Sequence, residues 1–468
     1  MAHKPHFKTA KHGTPFESSE RLLHGFQRFA SKSWAGGVLL ILATLAALIW
    51  ANAGGYDTYR YFFHDMKLHF QVSSWELPHI HGIATFINDF LMAIFFLFVG
   101  LEIKRELVQG ELRSPRKAAL PITAAIGGML VPALIYLGVT TAIPRDNDAN
   151  GSIAIASGWG VPMATDIAFA LGILLLLGRR APLPLKVFLT SLAIVDDLGA
   201  LLVIAIFYTE QLHTSFLVYA GLTMGLLIVL NLLRFRHPLF YIVPGIALWL
   251  FVLSSGVHAT IAGVLLAATI PASSRVDARR FVTATRDAVD HFESRGHDGR
   301  TPAESSAQRA AAYAIRENVN QVIPPLHRME QALFGWCAFF IIPVFAFANA
   351  GLLIRGDLGT IATDPVTLGV FFGLVIGKPI GVVGFSFLAV KLGIAALPSG
   401  VTWRHIVGVG GLAGIGFTMA LFIANLAFAD DLVHLDAAKT GILAGSIVST
   451  VLGVSVLLTC RRSEPPTP

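Results

Sequence analysis

Between residues 34 and 460 the chain alternates long, predominantly apolar runs, most of them with few or no Asp, Glu, Lys or Arg, with short charged stretches. A transmembrane helix needs about 20 predominantly apolar residues. Runs of that kind cover 34–56, 82–101, 118–144, 152–177, 185–208, 215–233, 332–353, 366–390, 406–428 and 440–460. The run 237–274 is too long for one crossing, and Ser254-Ser255-Gly256 divides it in two, which predicts twelve spans. Residues 1–33 read as an N-terminal tail, 34–460 as the twelve-span unit with a long loop at 272–331, and 461–468 as a C-terminal tail. A soluble helix is expected in that loop at 307–320. Ala51-Asn52-Ala53 mimics a signal-peptide cleavage site, but the apolar stretch before it is longer than a signal core, so the first span reads as uncleaved.

Composition agrees with the pattern. Of 468 residues, 54% are hydrophobic and 14% charged, too few polar groups to cover a soluble core of this size. The two cysteines lie in apolar runs and form neither a disulfide framework nor a zinc site. A net charge of +6 would suggest nucleic acid in a soluble protein, but here the distribution matters more. With both termini cytoplasmic, 29 of the 35 Lys and Arg fall in segments assigned to the inside, as the positive-inside rule requires. The chain reads as an all-α, multi-pass membrane protein that contacts lipid and does not bind nucleic acid.

Asp166, Asp196, Asp197 and Lys378 sit inside apolar runs. Unpaired near the bilayer centre they would cost on the order of 12 kcal/mol together. An Asp–Lys strut between spans accounts for one acid and the lysine and leaves two carboxylates unexplained. Three acids against one base suit a cation or proton path. Adjacent helical residues point about 100° apart, so Asp196 and Asp197 serve two directions: one toward Lys378, the other toward Thr165 and Asp166. Those directions disfavour an intramembrane aspartyl protease.

The fourth run carries Gly158, Gly160 and Pro162 ahead of Thr165-Asp166, and the eleventh has Gly408, Gly410, Gly411, Gly414 and Gly416 within nine residues. Proline removes a backbone donor and glycine loosens a helix, so both spans are expected to be interrupted; close packing of small residues is the other reading of the eleventh. The two occupy matching places in spans 3–5 and 10–12, the arrangement of an inverted-repeat transporter. Half-helix ends inside the membrane carry partial charges, which Asp166 can offset at N-terminal ends and Lys378 at C-terminal ends.

Ala164-Thr165-Asp166-Ile167-Ala168-Phe169 and Asp196-Asp197-Leu198-Gly199 closely resemble the NhaA family of bacterial sodium/proton antiporters. So do Gly100-Leu101-Glu102-Ile103-Lys104-Arg105-Glu106-Leu107, Ser255-Gly256-Val257-His258-Ala259-Thr260, Phe345-Ala346-Phe347-Ala348-Asn349-Ala350-Gly351, Gly377-Lys378-Pro379 and Gly416-Phe417-Thr418-Met419, in order along nearly the whole chain. The resemblance implies crossed, interrupted helices four and eleven, exchange of one Na⁺ or Li⁺ for two H⁺, and a homodimer. It assigns Asp196 and Asp197 to the ion and protons, Thr165 and Asp166 to the crossing, and Lys378 to charge compensation. It also implies a pH-sensing cluster of Glu102, Arg105, Glu106 and Glu330, for which a solvated helix end is the plainer reading. His258 is a further titratable candidate, although a lone histidine near a helix end is more often a hydrogen-bonding residue.

Na⁺ is a hard cation served by carboxylate, hydroxyl and carbonyl oxygens, so cation and proton compete for the same atoms. No resident cofactor and no organic substrate are expected, and no nucleophile–base set suggests an enzyme. A cation channel would not place Lys378 in its path, and a sodium-coupled symporter would bring more polar and aromatic groups into the broken spans. His64, His69, His79 and His81 are irregularly spaced with no cysteine among them, so no metal site is expected there. The alternating stretch 68–77 is a candidate strand, which the resemblance places at a dimer interface. Asp89 is expected to be buried against a neighbouring span.

Overall fold

The computed structural model describes residues 34–66, 71–72, 75–76, 82–143, 155–209, 212–233, 235–273, 278–294, 305–353, 363–429 and 431–460. Both tails, with His69, His79 and His81, lie outside the described residues. Apart from a hairpin of β1 (Gln71–Val72) with β2 (Trp75–Glu76), antiparallel in the register Gln71↔Glu76, the described fold is helical.

Nine helical stretches among the described residues are long and apolar enough to cross a membrane. They include α1 (Ala35–Phe63), α2 (Ile83–Gln109), α3 (Pro115–Ala142), Ser157–Leu176, α5 (Leu183–Phe207) and α6 (Thr214–Leu232). In Ser157–Leu176 a 3-10 turn, Ser157–Met163, precedes α4 (Ile167–Leu176). The apolar helices α7 (Leu239–Ser254) and α8 (Ile261–Thr269) are shorter, and Gly256, at a φ of 83° that favours glycine, lies in the break between them. The 272–331 loop holds α9 (Ala278–Ser294) as well as the expected helix, α10 (Ser306–Val322). The two helices pack on each other, the buried Gln308 donating to Phe292 O at 3.2 Å. Then follow α11 (Pro325–Asn349), α12 (Pro365–Lys391), the pair α13 (Trp403–Ala413) and α14 (Phe417–Ala427), bent by 43°, and α15 (Leu432–Leu458).

Apolar residues point outward as well as inward, as expected where lipid replaces water. α6 buries only Ala220 and Leu227, while Leu222, Leu226 and Leu232 are exposed. Ser157–Leu176, α5, α12 and the pair α13–α14 lie at the other extreme, with about half or more of their residues buried. Asp166, Asp196, Asp197 and Lys378 are all on these more buried stretches.

Close backbone approach fixes the interior. α3 and α12 meet where a Cβ on Gly381 would fall 2.1 Å from Gly127 O. Gly381→Ala must part the two helices, and overpacking of this kind costs about 1–3 kcal/mol. The variant is expected to melt about 1–3 °C below the wild type in detergent; an unchanged midpoint would mean that the α3–α12 contact is not tight.

Candidate functional site

The two interruptions meet. After the 3-10 turn that contains Pro162, residues 164–166 leave helical geometry, with Ala164 at φ −81°, ψ 145° and Asp166 at φ −81°, ψ 94°. Opposite them, α13 ends at Ala413 and α14 begins at Phe417. Glycine is required at this junction for space: a Cβ on Gly414 would lie 2.4 Å from Leu374 O, and one on Gly416 3.1 Å from Ala164 O.

Each interruption satisfies the backbone of the other. Thr165 Oγ1 donates to Ala413 O at 2.9 Å, and Asp166 N donates to Ile415 O at 2.6 Å. In return Asp166 serves two helix starts: Oδ1 accepts from Phe169 N at 3.0 Å, while Oδ2 accepts from Thr418 N at 3.2 Å and Thr418 Oγ1 at 2.6 Å. One carboxylate thus neutralises the positive ends of α4 and α14. Both N-terminal ends at the crossing thus meet the same carboxylate. The C-terminal carbonyls are met by the Thr165 hydroxyl and the Asp166 N–H, while Lys378 turns elsewhere.

Lys378 Nζ donates to Asp196 Oδ2 at 2.6 Å, and both side chains are fully buried. Gly128 of α3 helps to make room, since a Cβ there would stand 3.8 Å from Lys378 Nζ and 3.0 Å from Val382. Asp197 follows one residue on, about 100° round the helix. Asp166, Asp196, Glu102 and Lys378 all lie near enough to act on Asp197 electrostatically. Two buried oxygens, Asp196 Oδ1 and Asp197 Oδ1, have no hydrogen-bond partner among the described residues. An orphaned carboxylate oxygen in a protein interior is costly unless a proton or cation meets it.

The remaining candidates divide between the two ends of α2. Arg105 bridges Glu102, at 3.5 Å, and Glu330 of α11, which His327 also approaches at 3.6 Å. Glu106 stands apart from that bridge and accepts the backbone N–H of Glu111 at 2.8 Å. Lys104, unassigned from sequence, donates to Ala268 O at 2.7 Å and Ile270 O at 2.5 Å at the end of α8. His258 is distant from this cluster. Its Nδ1 lies 2.7 Å from Thr260 Oγ1 and its Nε2 3.9 Å from Asp89, 13 residues before Glu102 and so about 20 Å away along α2. The sequence reading also passed over Thr418 as a partner of Asp166, although a hydroxyl in the first turn after a glycine break is the type of group that meets an incoming carboxylate.

Comparison with known proteins gives one family. The family described as Na⁺/H⁺ antiporter 1 matches residues 27–457. The chain is 48% identical to the Na⁺/H⁺ antiporter NhaA of Oleidesulfovibrio alaskensis, covering 96% of each chain. It is 44% identical to that of Koribacter versatilis, over 96% of this chain and 94% of the relative. It is 45% identical to that of Mesorhizobium japonicum, over 94% of this chain and 96% of the relative. A solved sodium proton antiporter from Methanocaldococcus jannaschii overlays 94% of this chain and 99% of its own, with a TM-score of 0.49 and 12% identity.

Proposed function

The chain belongs to the Na⁺/H⁺ antiporter 1 family, and from that premise we propose that it extrudes Na⁺ or Li⁺ electrogenically against about two external H⁺, under pH control. The setting is a homodimer in the bacterial inner membrane with both termini cytoplasmic. Counting α7, α8 and the bent pair α13–α14 as one crossing each alongside the nine long helices gives twelve spans, the number that fits the distribution of Lys and Arg. The β1–β2 hairpin offers an edge for a second copy.

The observation that carries this reading is the pair of unpartnered oxygens, Asp196 Oδ1 and Asp197 Oδ1, beside the crossing. A dehydrated Na⁺ needs oxygen ligands, and these carboxylates, with Thr165 nearby, present them only when deprotonated. One proton then belongs to Asp197 and the other to the Asp196–Lys378 pair. Two H⁺ for one Na⁺ moves a net charge, so the membrane potential, worth about 2.3 kcal/mol per charge per 100 mV, drives the cation out. Asp166 has both oxygens engaged by donors and acts here by holding the crossing in shape. The Glu102–Arg105–Glu330 bridge lies near enough for Glu102 to bias Asp197, which supports a regulatory role at that end.

The test is a proteoliposome containing only Na⁺, H⁺ and buffer. An antiporter acidifies or alkalinises the lumen in response to Na⁺ with nothing else added, whereas a symporter requires an organic solute. Apparent Na⁺ affinity is expected to weaken as the medium is acidified, by about tenfold per pH unit for one displaced proton and up to about 100-fold for two. An affinity independent of pH would contradict direct competition.

A further inference from the structure

α13, which brings the Ala413 and Ile415 carbonyls to the crossing, is capped at its other end by a histidine. His405 is buried, with 6% of its surface exposed, whereas Thr402, the residue before α13, is exposed. His405 Nδ1 accepts the backbone N–H of Thr402 at 3.1 Å and lies 2.8 Å from Thr402 Oγ1. An imidazole nitrogen that accepts an N–H carries no proton, so the ring that makes this cap is neutral, with its hydrogen on Nε2. Nε2 is buried with no hydrogen-bond partner of good geometry among the described residues, and the ring lies against the backbone of Arg180 in the turn Gly178–Arg180 that joins α4 to α5.

The charged side chains around the ring favour its neutral form, whereas the Arg180 backbone beside it favours the protonated one. α13 packs against α4, α5, α12 and α15. The charged or titratable groups at the near ends of those elements are Arg179, Arg180, Lys186, Lys391 and Cys460, with Arg404 next in the chain. All but Cys460 are cations, and among the described residues no carboxylate pairs with the ring. A positive charge at a helix N-terminus also opposes the helix dipole. Protonation of Nδ1 would set one donor against another and remove an acceptor from the first turn of α13.

A helix of 11 residues is a rod about 16 Å long. Loosening its start shifts its end, where Ala413 O and Ile415 O hold Thr165 and Asp166. We propose that His405 is a positioning residue for the crossing, whose protonation uncaps α13, slackens its grip on Thr165 and Asp166, and lowers transport when the medium at that end turns acidic. In the orientation proposed above, that end faces the cytoplasm.

His405→Gln supplies an acceptor that does not titrate; His405→Ala removes the acceptor at every pH. Na⁺-driven exchange is measured in everted vesicles, whose cytoplasmic face is outward, from pH 6 to 9. The Gln variant is expected to match the wild type at pH 8.5 and to retain about fivefold more activity at pH 6, the size of a lost helix cap. The Ala variant should be slower throughout. A Gln profile superimposed on the wild type, or a Gln variant inactive at every pH, would overturn the proposal. This inference builds on the antiport reading, so a measurement independent of transport separates the two. A cap that needs a neutral ring loses stability as pH falls through the ordinary histidine range near about 6.5, because the unfolded ring takes up the proton freely. Between pH 8 and pH 6 the wild-type melting temperature should therefore fall about 1–2 °C further than that of His405→Gln. Equal falls would refute the cap even if antiport were not observed.

Discussion

Asp197→Asn is expected to abolish Na⁺/H⁺ exchange, with a loss of at least about 100-fold in Na⁺-induced pH recovery in everted vesicles. Asparagine preserves the size of the side chain and one acceptor oxygen but can neither release a proton nor carry a charge. Among the described residues Asp197 Oδ1 is buried without a hydrogen-bond partner, and an asparagine there has no charge with which to balance a cation. Removing one partner of a buried charge pair costs about 3–5 kcal/mol, which corresponds to a factor of 100 or more in binding. The fold should survive, because no hydrogen bond to Asp197 Oδ1 is lost and a neutral amide is cheaper to bury than a carboxylate. Expression and melting close to wild type, with exchange absent, is the expected combination. Wild-type exchange in this variant would remove Asp197 from the path of both ions.

The residues that sequence made visible share one property: each is an ionisable group in a run that lipid or helix packing should exclude. Asp166, Asp196, Asp197 and Lys378 stand out for that reason, and the structure buries all four. The interruptions were legible too, because Pro162 and the glycines of the eleventh run contradict a long helix. Pairwise geometry was not legible. The angle between Asp196 and Asp197 shows that one can face Lys378 but does not say which, and the 2.6 Å contact assigns Asp196. Likewise Thr165, Thr418 and the carbonyls of α13 become partners only once two distant segments meet, a relation that local spacing does not encode. Glu106 illustrates the converse. Its i, i+4 spacing from Glu102 places both on one helix face, yet the chain reverses just beyond, at Gly110, and brings the Glu111 N–H within its reach. Helix α9 had no counterpart among the sequence expectations: its apolar positions, Phe281, Val282, Ala288 and Phe292, are sparse in a stretch dense with charge.

Lys378→Met should destabilise the protein more than it alters its shape. Methionine fills similar length in the groove beside Gly128 but donates nothing to Asp196 Oδ2, leaving both oxygens of a fully buried carboxylate unpaired. The penalty for an uncompensated buried charge is about 3–5 kcal/mol, expected as a fall of roughly 3–5 °C in melting temperature in detergent at pH 8. A lone buried carboxylate can be relieved by taking a proton, so the deficit should shrink toward pH 5, where protons are plentiful. Adding Asp196→Asn removes the orphaned charge and should restore most of the melting temperature at pH 8, a coupling that the four proteins of a double-mutant cycle measure directly. The same double variant separates two roles of the pair. A strut between α5 and α12 needs only that the two side chains be compatible, whereas a proton carrier needs a group that ionises. Recovered stability with exchange still impaired would give the Asp196–Lys378 pair a part in transport. Recovered stability with wild-type exchange would reduce it to a strut and leave Asp197 as the one carboxylate of the pair on α5 available to the cation.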